Sequence, residues 1–453
     1  MKNIFLAIIS LLFVISLNGQ TTFEKYYDIY DYAYSNIVFT QDDGYLMAMI
    51  SRKDKIYLSF IKTDLNGDTL WTKDYDMGFE YLTSVGGADD EEGNLYISIR
   101  YGNENLLKLD ENANIIWAKE YTYLNLGMAV KENTLWICGN PDQGNYLYKI
   151  DAATGDSLWR SDLFNTDPIY GTSSYATSTV VLENGDVVVT ASLSDSYDGT
   201  QLKSEFYRLP ANTTQIIKFT LPTDELFVVT DSKNIGNEII SIANGLLYSS
   251  EFKTCFFIKY TSDGTMLAFT KDVFGYSSAR LYECVITNDN QVVAVGTART
   301  EVVPRDVLLH CFSMNGDSLW TRLLNRPEAQ CYDIKMANDN GFIVTGGYGL
   351  GNNWKPYLLK TNSLGTLNAI PERSDSHQQQ VYPNPASDHI IVHSSGQNIP
   401  KTVKIYGIDG TLKLAKALVD LKTKIDISRL SPGIYLVVSD SPDGINQSRL
   451  VVL

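Results

Sequence analysis

The chain has 453 residues, too many for one ordinary compact core, so several domains or a ring of repeated units is expected. Hydrophobic residues at 44% and charged ones at 20% are globular values. The formal charge of -16 and pI near 4.7 argue against nucleic acid as a partner, because a phosphate-binding surface needs a positive field to replace counterions.

The chain opens with a targeting pattern. Lys2 supplies a positive start, Ile4 to Leu17 is an apolar run, and Leu17-Asn18-Gly19 places a small residue before a cut, so residues 1–19 read as a signal peptide and the mature chain begins at Gln20. The run is shorter than the roughly 20 apolar residues that span a bilayer. No second apolar segment of that length follows, and no transmembrane span is expected in the mature chain. The five cysteines are odd in number. Cys138, Cys255, Cys284 and Cys311 lie inside strand-like runs and Cys331 just before one, which favours buried free thiols and leaves a single bridge open.

From Thr22 onward short runs of period two dominate and helical periodicity is nearly absent, so the chain reads as all-β. One unit recurs: an alternating strand, a turn rich in Asp, Asn and Gly, a second strand, then a long hairpin such as Leu308 to Trp320 with its turn at Asn315-Gly316-Asp317. Hairpin turns fall at Gly67, Ala113, Gly155, Thr213, Gly264, Gly316 and Gly365, spaced by 46, 42, 58, 51, 52 and 49 residues. That count of seven matches the count of first-strand pairs, and the period lies near the roughly 40–50 residues of a four-stranded propeller blade. Residues 20–370 are therefore expected to form a seven-bladed β-propeller. Thr22-Phe23-Glu24-Lys25-Tyr26-Tyr27 has the same order of side-chain types as Leu70-Trp71-Thr72-Lys73-Asp74-Tyr75, so the array starts with the last strand of its unit and that strand can close the ring.

Trp71, Trp117, Trp159 and Trp320 all follow a hairpin turn, with Ile217, Ala268 and Ala369 at the equivalent places in the other units. A large planar side chain recurring once per unit is read as packing between neighbouring blades. The other reading, exposed aromatic platforms for sugars, requires the rings to face solvent. Residues 371–380, with Pro371 and Gln378-Gln379-Gln380, are polar and read as a linker. Residues 381–453 then carry eight Lys and Arg against six Asp, a charge of +2, so the acidity belongs to the propeller. Their six or seven short strands read as a small Ig-like β-sandwich.

The order Tyr382-Pro383-Asn384-Pro385-Ala386, Val403 to Tyr406 with Asp409-Gly410, Ile427-Ser428 with Leu430, then Gly433-Ile434-Tyr435 and a terminal apolar strand resembles the type A C-terminal sorting domain of the type IX secretion system in Bacteroidota. The resemblance covers only the last 73 residues. It implies export across both membranes, removal of the domain by a surface sortase, and a cargo that is released or held at the cell surface. The partners it implies are the secretion machinery and that sortase.

No cofactor or metal motif stands out. Ile150 to Trp159 resembles the tryptophan-docking repeat of quinoprotein alcohol dehydrogenases, but one matching unit is explained by docking alone. Asp64-Leu65-Asn66-Gly67-Asp68 opens like a calcium loop, yet its glycine stands at the fourth position and no distal glutamate follows. Only His310 of the four histidines falls in the propeller, against a histidine metal site or a Ser-His-Asp relay there. Carboxylates are plentiful enough for a two-acid glycosidase, but nothing in the sequence selects a pair. The expected function is a secreted or surface-displayed binding or structural propeller whose ligand, a glycan or a surface protein, meets the central funnel or blade-top loops. The alternative is a polysaccharide-cleaving hydrolase or lyase.

Overall fold

The computed structural model describes residues 20–78, 84–99, 105–121, 124–139, 145–164, 173–194, 202–246, 252–300, 305–350, 353–367, 379–394, 402–407, 411–417, 420, 422–441 and 444–453. The signal peptide, most of the linker, Ala369, and Asp409 with Gly410 lie outside them. Among the described residues every regular element is a strand. The chain divides into two compact units, 1–371 and 372–453.

The first unit is built of seven antiparallel four-stranded sheets. Blades 1 to 6 cover residues 32–75, 85–119, 124–164, 173–219, 227–273 and 278–323. Blade 7 takes three strands from 329–361 and its fourth, Phe23–Tyr26, from the other end of the unit. The first strand of each blade touches the first strand of both neighbours, and the contacts run full circle. The architecture is therefore a closed seven-bladed propeller.

Burial follows the strand's place in its blade. Second strands such as Gly44–Arg52 and Leu95–Ile99 are buried nearly throughout, whereas the outermost Thr69–Tyr75 is half exposed. A blade is covered on both faces by its neighbours, so its middle strands read as continuous apolar runs. The core is accordingly divided. Seven apolar clusters occupy the seven junctions between blades, from Ile37, Phe60 and Leu107 between blades 1 and 2 to Val38, Met47 and Leu358 between blades 7 and 1. All five cysteines are buried and free.

One docking contact repeats around the ring. The turn after the third strand of a blade uses a left-handed residue, such as Gly155 (φ 74°) or Gly365 (φ 68°), and an aromatic ring from the previous blade rests on it. A Cβ at Gly155 would lie 2.8 Å from the Trp117 ring, and one at Gly365 would lie 2.8 Å from the Trp320 ring. Glycine is required there for two reasons at once: the backbone sign and the absent side chain. At the closure Phe23 docks on Gly67 in the same way. In blade 7 the place of Trp71 is taken by Phe23, which pairs with Lys360 as Trp71 pairs with Lys62, in keeping with the match between Thr22 to Tyr27 and Leu70 to Tyr75; Ala369 lies outside the described residues.

The second unit is a small Ig-like sandwich of a three-stranded and a four-stranded antiparallel sheet, around Ile390, Val403, Ile405, Ile425, Val437 and Leu450.

Candidate functional site

The inner strands of the seven blades surround a cavity of about 580 Å³ on the propeller axis, with residues from every blade in its lining. A β-bulge shapes the wall in five blades, at Ser35/Ile37, Ala176/Ser178, Val229/Asp231, Leu281/Glu283 and Cys331/Asp333. A bulge bends the strand and re-aims the residue that follows it. Opposite the last of these stands Gly346, where a Cβ would come within 1.9 Å of the Gln330 carbonyl oxygen. Only a residue without a side chain lets the second strand approach the bulge so closely.

The residue after the bulge links its blade to the next. Ser178 Oγ accepts from the Ser232 N–H at 3.1 Å, Asp231 Oδ2 from the Cys284 N–H at 3.0 Å, and Asp333 Oδ2 from the Val38 N–H at 2.7 Å, the last across the ring closure. In blades 5, 6 and 7 that residue is a carboxylate, and two lysines stand between. Lys233 Nζ lies 3.0 Å from Asp231 and 2.7 Å from Glu283. Lys335 Nζ lies 2.9 Å from Asp333 and 3.8 Å from Glu283. The order along the wall is thus Asp231, Lys233, Glu283, Lys335, Asp333, alternating in sign.

The electrostatics separate the three acids. Burial lifts Asp231 and Asp333 above the usual carboxylate range against the pull of their lysines. Burial opposes ionisation of Glu283 as well, but there Lys233 and Lys335 together outweigh it and hold the pKa low. For both lysines the neighbouring carboxylates overcome the cost of desolvation and keep the ammonium charged. Asp231 and Asp333 are almost enclosed, whereas a quarter of Glu283 and about a third of each lysine face the channel.

Outside this arc the wall carries two more charges, Asp89 from blade 2 and Arg280 from blade 6, and is otherwise neutral. Blades 1 to 4 contribute Ile37, Gly86, Gly87, Gly127, Thr177 and Ser178. Beside the charged arc stand Tyr282 and Tyr332, half-buried, with ring centroids 5.3 Å apart; the Tyr282 hydroxyl accepts from Gln330 Nε2 at 3.0 Å.

None of these charged residues was selected by the sequence reading. The signal was present as Asp231-Ser232-Lys233 and Asp333-Ile334-Lys335 at the same place in two units, with Tyr282-Glu283 between them. Charges in runs otherwise destined for a buried strand mark a wall that faces water.

The tryptophans lie elsewhere. Trp71, Trp117, Trp159 and Trp320 are partly buried against the clusters of junctions 1–2, 2–3, 3–4 and 6–7, and the Trp117 Nε1–H donates to the Ala152 carbonyl at 3.3 Å. In the sandwich, Asn384 Oδ1 accepts from the Val451 N–H at 2.8 Å, and the Leu453 N–H donates to the Ala386 carbonyl at 2.9 Å. The Tyr382-Pro383-Asn384-Pro385 segment thereby holds the terminal strand. Tyr435 Oη donates to the Ser431 carbonyl at 2.7 Å beside Gly433, while Tyr382 is 38% exposed. Among the described residues no cluster of His, Cys, Asp and Glu is arranged to hold a metal ion, and no helix is long and apolar enough to cross a membrane.

Residues 380–453 match the family model of the secretion system C-terminal sorting domain. A type IX sorting domain directs the chain to the cell surface or the extracellular space. No curated protein sequence matches the chain. Among solved structures it is similar to one titled as the Dos1 propeller, at 12% identity and TM-score 0.45, over 75% of this chain and 96% of that one. It is also similar to two structures of a PL25 polysaccharide lyase, an ulvan lyase, both at 10% identity. One of these, bound to -[GlcA(1-4)Rha3S]-, has TM-score 0.49 over 75% and 97% of the two chains. The other has TM-score 0.50 over 76% and 97%. At these identities the likeness bears on the fold alone.

Proposed function

We propose that the mature chain is a secreted or surface-displayed binding propeller whose ligand, a glycan or a surface protein, enters the axial cavity, and that its sandwich engages the secretion machinery and a surface sortase. The observation that carries the reading is the cavity wall. Seven inner strands converge on one concave space of ligand size, and one arc of it presents Lys233, Glu283 and Lys335 to the channel beside two tyrosines. The tryptophans serve as blade packing and do not form a sugar platform. The test is a glycan array and a cell-surface pull-down with the chain starting at Gln20. Binding that falls about tenfold in Tyr282→Ala supports the reading. Absence of any glycan signal together with absence of any captured surface protein overturns it.

A polysaccharide-cleaving enzyme draws on one observation, that Asp231 and Glu283 sit on adjacent strands with pKa values pushed in opposite directions. Turnover of a polysaccharide by the wild-type chain, abolished in Glu283→Gln, would favour that reading.

A further inference from the structure

The cavity wall also constrains the charge of what it takes. Its lining holds three cations, Lys233, Arg280 and Lys335, against four carboxylates, Asp89, Asp231, Glu283 and Asp333, a formal charge of -1. Both lysines are already held in ion pairs of 2.7 to 3.0 Å within the arc, and the Arg280 guanidinium lies over the Tyr282 ring, 5.9 Å from its centroid. A site for sulfated or uronate-rich chains needs an excess of unneutralised cations, because each bound anion must be worth more than its lost hydration. Here an incoming anion would compete with carboxylates already in place.

A hydroxyl group meets no such competition. It donates and accepts at once, and the arc offers donors and acceptors in alternation. An ammonium carries three N–H donors. The two ion pairs of Lys233 leave one for a ligand, and Glu283, a quarter exposed, keeps acceptor capacity toward the channel. Across the cavity the wall is hydroxyl and backbone, from Thr177, Ser178 and the strand around Gly86 and Gly87, with Asp89 as its one carboxylate. Tyr282 and Tyr332 add ring surface suited to the C–H faces of a sugar.

We infer that the axial cavity selects an uncharged, hydroxyl-rich oligosaccharide and discriminates against polyanionic polysaccharides. The inference rests on the glycan form of the proposed function. Glu283 is its selectivity-determining residue, since it is the carboxylate of the arc most open to the channel and it draws on both lysines beyond their own partners Asp231 and Asp333.

The test uses the mature chain from Gln20, titrated calorimetrically with neutral oligosaccharides (gluco-, manno- and xylo-configured) and with sulfated and uronate oligosaccharides of similar length, at about 50 and about 500 mM salt. The expected result is binding confined to the neutral set, with affinity changing less than about twofold between the two salts. Glu283→Gln removes the channel-facing negative charge while each lysine keeps its own aspartate, and should weaken the neutral ligand about tenfold and narrow its preference over the anionic one. Lys335→Met, which keeps Lys233 paired with Glu283, should weaken the neutral ligand without admitting the anion, and it serves as the second variant if Glu283→Gln does not fold. Tight, salt-sensitive binding of an anionic oligosaccharide by the wild-type chain overturns the inference while leaving the glycan reading intact. Binding of neither class removes the glycan reading itself, and the inference with it.

Discussion

The two arcs of the cavity wall solve one packing problem with different chemistry. In both, a residue at a bulge must tie its inner strand to the next blade. Between blades 4 and 5 Ser178 does this with a neutral hydroxyl. At blades 5 and 7 Asp231 and Asp333 do it with carboxylates, which then require lysines, and the lysines require Glu283. A neutral link costs little to bury and carries no information. A charged link demands a network, and the network faces a ligand-sized space. Closing the ring would not require the charged version, since Ser178 makes the same link without it.

The largest expected effect would break the charged arc. Asp333→Ala strands Lys335 and leaves the Val38 N–H without its acceptor at the ring closure, and should cost about 3–5 kcal/mol in urea or thermal unfolding. A loss below about 1 kcal/mol would mean the arc is no more structural than its neutral counterpart.

His310, on the third strand of blade 6, is a buried titratable group outside both arcs and gives a control for them. Its Nδ1 is hydrogen-bonded with Thr321 Oγ1 at 2.8 Å, and Nε2 lies 3.2 Å from Asp272 Oδ2, within a shell of Phe274 and Phe312. Burial lowers its pKa to about 4, against the opposing pull of Asp272. A base whose folded pKa is depressed favours the folded state above its ordinary value of about 6.5, and that contribution is lost as pH falls toward 4. Unfolding followed from pH 7 to 4 should therefore show up to about 3 kcal/mol of loss assignable to this residue, with a flatter profile in His310→Gln. An unchanged profile in the variant would remove His310 as the cause.

Trp320→Ala, in blade 6, should cost about 2 kcal/mol, and Trp117→Ala, in blade 2, a similar amount, since each ring docks on the next blade's glycine turn whichever arc it belongs to. A large inequality between the two would show that the arcs differ in packing as well as in charge. The smallest effect is expected on the neutral side. Ser178→Ala removes one acceptor from the buried Ser232 N–H and should cost about 1 kcal/mol.

Much of the fold was readable because each unit repeats its own punctuation. Gly67, Gly155, Gly264, Gly316 and Gly365 all adopt positive φ in the turns where counting placed them, and Ala113 joins them at φ 54°. The sorting sandwich was readable because Tyr382 to Ala386 and Gly433 to Tyr435 recur as a series. The cavity was not, since its position depends on bulges that add one residue to a strand, and a one-residue shift reverses which side chains face inward. Asp231, Glu283 and Asp333 look like solvent-facing positions of ordinary strands until the bulge turns them toward the axis. The ring closure was readable as well, because Thr22 to Tyr27 repeats the side-chain order of Leu70 to Tyr75 and Phe23 takes the place of Trp71 in blade 7.

That borrowed strand sets a timetable. Glu24 accepts from Tyr357 Oη at 2.9 Å and from Arg326 Nε at 2.6 Å, so 333 residues separate the first of these partners from the carboxylate it meets. Contacts of such long sequence separation form late, after most of the loop-closure entropy has been lost. A polypeptide emerging N-terminus first must carry residues 23–26 as an unpaired edge until the segment around Tyr357 arrives. Proteases or chaperones present during that interval therefore have a defined place to act, and afterwards the latch denies it to them.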